Sequence, residues 1–417
     1  MIPRFARRAR IAVVSMTAIA ALGLTACSGG GPLGGGGDID TVSEGFASSV
    51  DGAVASAMEL SGSTEAVVGI WDSEGNAYVR GYGDGVDATT RIRGAQATQP
   101  VMCALLLDLV DQGRITLDRE VSKDLTRQVG IEGVTYGQLC DMRSGLADFK
   151  GDLSSIFVNN PTRPWAEQEL LAQGLSKSPL PWPGLDFNQS DTNVLLLGRA
   201  LSVKTRQPLS ELLDEHVYSK AGMGSSYYPA TTATTVSGTT LAGLAYPLAG
   251  GKPDCETGVM DVPEVAPAML GGAGATVTTV TDLKNFYEHY VDGTFGGKAA
   301  KVITDTIPTV NPKRDADGKP TEEPAESLRT WAFDAEKYDS LYGRAGAITG
   351  TLTAAYHDPK SGFSVVISLN NSSAGAGFAR SAAFQLAALA AEAGTGPEIS
   401  WTADEQAQAL AKAAVCQ

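Results

Sequence analysis

Residues 91–113 read RIRGAQATQPVMCALLLDLVDQG, and the interpretation of the whole chain depends on this stretch. A short run that favours a β-strand leads directly into an apolar segment, which we predict to be helical over residues 98–113. In several enzyme families a turn of this kind, between a strand and a helix, carries a reactive side chain. Here the turn contains Gln96 and Gln99, and residues 91–102 include no Ser, Cys or Lys. A carboxamide is not a nucleophile, so the turn lacks the reactive group that its surroundings suggest.

The composition is that of an acidic globular protein. The 417 residues are 43% hydrophobic and 19% charged, and their formal net charge is −15. A body of this charge is repelled by polyanions, which argues against nucleic acid as a partner. The chain has three His and no CxxC or HExxH pattern, so we expect neither a metal nor another cofactor.

The N-terminus has the pattern of an export signal. A basic segment with Arg4, Arg7, Arg8 and Arg10 precedes the apolar run IAVVSMTAIAALGL, which is short for a membrane span but typical of a signal peptide. The run ends in LTAC at residues 24–27, which resembles the lipobox of bacterial lipoproteins. This resemblance implies removal of residues 1–26, a lipid on Cys27, and anchoring at the outer face of the cytoplasmic membrane.

The remaining chain is predicted to form one domain with short appendages. Residues 27–40 are a Gly-rich tether, residues 41–395 the domain, and residues 396–417 a C-terminal helical extension. Residues 307–326 read as a polar surface loop. Strand-like runs are predicted at 63–73, 76–84, 331–336, 351–358 and 363–371, and helical patterns at 40–60, 134–144, 190–204, 208–221, 280–293 and 377–393. Strands near both ends with helices between them indicate one α+β domain whose sheet joins N- and C-terminal segments.

Six segments between about residue 60 and residue 393 follow one another in an order that is typical of a known family. The segments are GAQATQPVMCALLLDLVDQGRITLDREVSKDL, VTYGQLCDMRSGLADF, PGLDFNQSDTNVLLLGRAL, LLDEHVYSKAGM, GGAGATVTTVTDLKNFYEHYVDG and YGRAGAITGTLTAAYHDPKSGFSVVISLNN. In this order they resemble the serine β-lactamase and penicillin-binding protein family, and within it the branch of class C β-lactamases, D-Ala-D-Ala peptidases and esterases. The resemblance implies the fold of that family, with an antiparallel sheet built from N- and C-terminal segments and a mostly helical subdomain.

The same resemblance implies that the catalytic groups have been replaced. The family uses an S-x-x-K motif for the nucleophile and its base, a Y-x-N motif, and a K-T-G or H-x-G motif on the edge strand beside the nucleophile. Counting back from the Gly of LVDQG puts the first motif on Gln96 and Gln99. We therefore expect no catalytic residue, and the degenerate active-site positions are Gln96, Gln99, Gln189, Asp191, Arg344 and Gly346.

The four cysteines after Cys27 are expected to form disulfides. An even number of cysteines in an exported chain favours bridges, although three connectivities are possible and buried free thiols would also pack. Some class A β-lactamases join a Cys seven residues after the nucleophile to one in a T-x-x-x-L-C segment. This likeness implies a bridge between Cys103 and Cys140, and Cys255 and Cys416 then pair by elimination.

These observations favour a non-catalytic binding or scaffolding lipoprotein of the cell envelope. Its partner would be an unknown envelope protein or a peptidoglycan-derived peptide. A second hypothesis is reversible binding of stem peptides or β-lactams, with the Arg344 fork gripping a carboxylate; the alternative for that side chain is an ion pair with Asp191 across a collapsed cleft. If the cleft survives, Gln96, Gln99, Gln189, Asp191 and Arg344 should converge on one pocket.

A third hypothesis is an enzyme of the serine hydrolase family whose chemistry has been relocated. Ser190 is the best remaining hydroxyl for such chemistry, although its place in the motif points it away from a reacting carbon. We expect packing or surface roles for His216, His289 and His357.

Overall fold

The structure is a computed structural model that describes residues 37–315 and 317–417. The predicted signal peptide, the lipidation site at Cys27 and most of the predicted tether lie outside these residues. Within the described part of the chain, no helix combines the length and the apolar character needed to cross a membrane.

The secondary structure alternates short strands with helices of up to 18 residues. The strands are β1 (Ile39–Asp40), β2 (Ala66–Trp71), β3 (Ala77–Tyr82), β4 (Ile92–Arg93), β5 (Gly243–Ala245), β6 (Leu248–Ala249), β7 (Lys252–Pro253), β8 (Met260–Val262), β9 (Val277–Thr278), β10 (Ile307–Pro308), β11 (Arg329–Ala332), β12 (Ala335–Tyr338), β13 (Leu341–Ile348), β14 (Thr351–His357) and β15 (Ser364–Leu369). The helices are α1 (Glu44–Ser61), α2 (Pro100–Asp111), α3 (Tyr136–Cys140), α4 (Ser154–Asn159), α5 (Glu167–Leu175), α6 (Asp191–Thr205), α7 (Leu209–Leu213), α8 (Val280–Val291), α9 (Lys301–Thr304), α10 (Gly375–Glu392) and α11 (Ala403–Lys412).

A large antiparallel sheet organises the fold. In the described residues nine strands pair in the order β1-β3-β2-β15-β14-β13-β12-β11-β10. Strand β2 from the N-terminal part lies beside β15 from the C-terminal part, with Ala66 opposite Leu369 and Trp71 opposite Ser364. The predicted α+β fold, with a sheet joining both ends of the chain, is therefore confirmed.

The sheet separates two apolar cores because successive side chains on a strand point to opposite faces. Val68 and Ile367 face α1 and α10, whereas Val67 and Val366 face the helical subdomain that contains α2 and α6. Both faces are covered, so the central strands are almost continuously apolar. The C-terminal segment also takes part, since Leu410 of α11 is buried in the core of α1 and α10.

One predicted strand is wrong in a way that affects the site. The run WAFDAE at residues 331–336 forms a hairpin, in which β11 ends at Ala332 and β12 begins at Ala335. The turn consists of Phe333 and Asp334, whose φ angles of 52° and 78° lie in the left-handed region. Short polar residues such as Asp tolerate that region better than most, but no Gly or Asn marks the turn in the sequence.

The two expected disulfides are both confirmed. Cys103 on α2 is bonded to Cys140 at the end of α3, with a Cα–Cα distance of 6.0 Å, and neither residue is exposed. Cys255, which follows β7, is bonded to Cys416 near the C-terminus, with a Cα–Cα distance of 5.3 Å. The first bridge lies inside the helical subdomain, while the second connects the surface loop after β7 to the end of the chain.

Candidate functional site

The turn that contains Gln96 lies directly against strand β13. Residues Ala95–Thr98 form a 3₁₀ turn in front of α2, and all four are buried. A Cβ atom placed on Gly346 would lie only 2.2 Å from the backbone nitrogen of Gln96. Only glycine therefore allows the strand and the turn to approach this closely.

The side chain of Gln96 links the sheet to the helical subdomain. Its Oε1 accepts a hydrogen bond of 2.9 Å from the backbone N–H of Ala347, and its Nε2 donates one of 2.7 Å to Oδ2 of Asp191. Gln96 is only 7% exposed. Both ends of the carboxamide are thus engaged inside the protein.

The Ala347 N–H is free for this contact because of the local sheet geometry. Strand β13 was expected at the edge of the sheet, but β12 pairs with it over Leu341–Gly343. The remainder of β13, from Arg344 to Ile348, extends beyond β12 and forms a local edge. Only this half of the strand borders the site.

Asp191 is the centre of a buried polar network, with 2% of its surface exposed. Its carboxylate accepts hydrogen bonds from Gln96 and, over 3.2 Å, from Nε2 of Gln99, and it lies 2.6 Å from Nζ of Lys150. Burial acts to raise the pKa of Asp191, but the charges of Lys150 and Arg344 hold it below its ordinary value. Asp191 is therefore an ion-paired carboxylate and not a proton donor at neutral pH.

Lys150 is a site residue that sequence reasoning missed. It lies in a 3₁₀ turn, Phe149–Asp152, outside the three motifs, and nothing in its sequence context distinguishes it from a surface lysine. Burial acts to lower its pKa, but Asp191 and Asp148 together raise it above the ordinary value. Lys150 is therefore a cation and not the neutral amine that a general base requires.

Arg344 behaves differently from both expectations for it. Its guanidinium donates hydrogen bonds to the carboxylate of Asp334 and, over 2.6 Å, to the backbone oxygen of the same residue. It also lies 4.8 Å from the ring centre of Trp331, and it is 1% exposed. It neither points into an open cleft to grip a ligand nor pairs with Asp191, because the hairpin turn at Phe333 and Asp334 brings a carboxylate to it.

The predicted convergence of five side chains is correct only in part. The side chains of Gln96 and Gln99 each donate a hydrogen bond to Asp191. Gln189, in contrast, is exposed, and its Oε1 accepts a hydrogen bond from Arg329. Ser190, which lies between Gln189 and Asp191 in the sequence, is fully buried and is the N-cap of α6. Its Oγ accepts a hydrogen bond of 3.2 Å from the N–H of Thr192. The cap fixes Asp191 inward and leaves Gln189 outside.

The histidines have other partners in the described residues. Nδ1 of His216 lies 2.7 Å from Asp108, Nδ1 of His357 lies 2.8 Å from Oγ of Ser364, and Nδ1 of His289 lies 3.2 Å from Asp292. None of these bonds involves Gln96, Asp191 or Lys150. Over residues 37–315 and 317–417, no group of three or more His, Cys, Asp or Glu side chains is arranged to hold a metal ion.

The structure resembles several solved enzymes and enzyme homologues. A D-stereospecific amidohydrolase from a Streptomyces species superposes with a TM-score of 0.65 and 22% identity, over 80% of this chain and 98% of that one. A penicillin-binding protein from Bacillus halodurans gives 0.60 and 18%, over 79% and 97%. The octameric penicillin-binding protein homologue from Pyrococcus abyssi gives 0.65 and 18%, over 84% and 78%. At these identities the likeness establishes the fold and not an activity.

A comparison of the sequence with protein families shows to which family the chain belongs. The sequence model of the Beta-lactamase family matches residues 50–390, which include Gln96, Lys150, Asp191 and Arg344 together with the sheet and helices that hold them. The match covers most of the chain and agrees with the solved structures of the same fold. This protein is a member of the Beta-lactamase family.

Proposed function

We propose that this protein is a non-catalytic Beta-lactamase family member, exported as a lipoprotein, that binds or scaffolds another component of the cell envelope. The observation that carries the proposal is the carboxamide of Gln96, which is held between the Ala347 N–H and the Asp191 carboxylate. The resemblance to the S-x-x-K motif assigns the position of this side chain to the nucleophile of acyl transfer.

Acyl transfer needs an attacking atom, a base and donors for the developing oxyanion. Gln96 offers no nucleophilic oxygen or sulfur, and the Ala347 N–H beside it is already bonded to the Gln96 side chain. Lys150, the one amine bonded to this network among the described residues, is paired with Asp191 and has a raised pKa. The first requirement is therefore opposed by the chemistry of the Gln96 side chain, and the other two are opposed by specific contacts.

Two features of the domain support a binding role. The two disulfides and the doubly covered sheet make it rigid, and a rigid surface loses little conformational entropy on binding. The Gly-rich tether that we propose, on a lipidated Cys27, would hold that surface close to the membrane. The partner we propose is an envelope protein. Reversible capture of a peptide carboxylate by Arg344 is not favoured, because that guanidinium is buried against Asp334.

The catalytic part of the proposal is tested with covalent probes. We expect the exported protein to acquire no label from a fluorescent penicillin or a fluorophosphonate and not to hydrolyse a chromogenic cephalosporin. Ser190→Ala is the variant to compare with the parent protein, since Ser190 carries the best remaining hydroxyl for relocated chemistry. A denaturation-resistant label or turnover in the parent protein that disappears in Ser190→Ala would establish relocated chemistry and contradict the proposal.

The anchoring part is tested at Cys27. We expect Cys27→Ala to abolish incorporation of a labelled fatty acid and to move the protein from the membrane fraction to the soluble fraction, because a thioether-linked lipid requires that sulfur. Ser28→Ala is the control in the adjacent residue and should leave lipidation unchanged. Membrane retention of Cys27→Ala at the level of the parent protein would contradict the anchor.

A further inference from the structure

A groove lies on the helical subdomain, away from the Gln96 network. Two neighbouring cavities of about 530 and 580 Å³ share Arg199 and Val203 of α6 in their walls. No residue bonded to Gln96 or Asp191 lines either cavity. The groove is therefore separate from the site described above.

The first cavity carries positive charge in a protein that is otherwise acidic. Its charged lining residues are Asp124, Arg127 and Arg199. Asp124 is neutralised by Arg119, which donates two hydrogen bonds of 2.7 and 2.9 Å, and Lys204 lies 3.6 Å away. Glu167 is the ion partner of Arg199. The cluster thus has four cations and two carboxylates, whereas the whole chain has a net charge of −15. Its members are Arg119, Arg127, Arg199, Lys204, Asp124 and Glu167.

Two of these cations retain hydrogen-bonding capacity. Nη1 of Arg199 donates to Glu167 over 2.8 Å, but its Nε is buried and has no partner among the described residues. Arg127 is exposed and forms no ion pair within the described chain. Arg199 and Arg127 both line the first cavity, so the guanidinium donors that remain beyond the bond to Glu167 are available to an oxyanion there.

The second cavity is lined by hydroxyl groups. Ser202, Ser210, Thr231 and Tyr228 border it, and Leu209 contributes an apolar wall. Glu167 also lines this cavity, where its carboxylate is paired with Arg199. Hydroxyls of this kind exchange hydrogen bonds with other hydroxyls and distinguish little between neutral polar groups.

From these two halves we propose that the groove binds a hydroxyl-rich molecule carrying one oxyanion, either a carboxylate or a phosphate. The oxyanion lies beside Arg199 and Arg127, and the hydroxylated part extends over α6 to Ser202 and Ser210. A sugar acid and a sugar phosphate share this chemistry. The inference does not depend on the proposed loss of catalysis, because it concerns other residues.

The test is titration calorimetry with three probes that share a pyranose ring. Glucose 6-phosphate and glucuronate carry the two oxyanions, and glucose carries none. We expect measurable binding of at least one anionic sugar and none of glucose at the same concentration. The stronger of the two anionic probes identifies the phosphate or the carboxylate as the preferred group. Equal binding of glucose, or no binding of either anion up to tens of millimolar, would overturn the proposal.

Variants then locate the binding site. Arg127→Gln and Arg199→Gln should each weaken binding by about tenfold, because each removes a charge-assisted contact. Arg127 is exposed, so its variant keeps the fold even if Arg199→Gln does not. Arg80→Gln, on β3, is the matched control and should change nothing. Anion binding that is unaffected by Arg127→Gln and by a folded Arg199→Gln would place the ligand elsewhere and refute the assignment.

Discussion

Replacing Arg344 with Met is expected to lower the free energy of unfolding by about 3–5 kcal/mol at pH 8, where the Asp334 carboxyl is mostly ionised, because this is the usual cost of leaving one member of a buried ion pair without its partner. Both partners are inaccessible, with 1% of the Arg344 side chain and 0% of the Asp334 side chain exposed. Met fills much of the volume of the arginine stem, so the loss would come from the charge and not from a cavity. Denaturant unfolding of parent and variant measures the effect.

The destabilisation should also depend on pH. Burial raises the pKa of Asp334 to about 7, against the opposing charge of Arg344, from the ordinary value of 3.8. A carboxyl whose pKa is raised by folding contributes most to stability below its unfolded pKa, and this contribution is lost as the pH rises through the folded value. Without Arg344 the folded pKa rises further, so the cost of Arg344→Met should be larger at pH 8 than at pH 5.

Two further variants keep this prediction testable. Arg80→Met removes an exposed partner of Asp51 and should cost at most about 1 kcal/mol, because surface ion pairs contribute little. Asp334→Leu combined with Arg344→Met removes both charges and should recover part of the loss. A cost for Arg344→Met that is as small as that for Arg80→Met, or that does not change between pH 5 and pH 8, would contradict the role of the buried charge.

Removing the bridge between Cys103 and Cys140 is expected to cost about 4 kcal/mol in the free energy of unfolding. The two residues are 37 positions apart, and the chain-entropy model gives this magnitude for a loop of that length. The double variant Cys103→Ala and Cys140→Ala, compared with the parent by denaturant unfolding, measures it. Both residues are fully buried in the helical subdomain, so some loss of packing adds to the entropic part.

The second disulfide provides the control. Cys255 is exposed, so a mild thiol reductant under native conditions should open the bridge to Cys416 before the buried one. Mass spectrometry of alkylated peptides would show which cysteines become accessible, and the fold should persist at that stage. Alkylation of Cys103 and Cys140 before Cys255, or no loss of stability in the double Ala variant, would contradict the prediction.

Much of the site could be predicted from motif spacing. Counting along α2 identified Gln96 and Gln99, and the Gln189-Ser190-Asp191 run identified the acid that binds them, 95 and 92 residues away respectively. These positions could be predicted because a helix start and an N-cap place side chains in the same way wherever they occur. Lys150 and Asp334 could not be predicted from the sequence, since each lies in an irregular turn that belongs to none of the motifs.

The sequence by itself determined the α+β class and a sheet that joins both ends of the chain, because the periodicity of apolar residues is a local property. The pairing of the cysteines came from the resemblance to the family, since the residues alone left three connectivities open. Only the tertiary structure decided how the buried charges pair. Arg344 is bonded to Asp334 and not to Asp191, and Lys150 forms the ion pair with Asp191 that one of the two hypotheses assigned to Arg344. The physical reason is that a buried charge pairs with whichever opposite charge the fold brings within hydrogen-bonding distance. That distance depends on the turn at Phe333 and Asp334 and on the loop that carries Lys150, and neither has a pattern from which its path could be read.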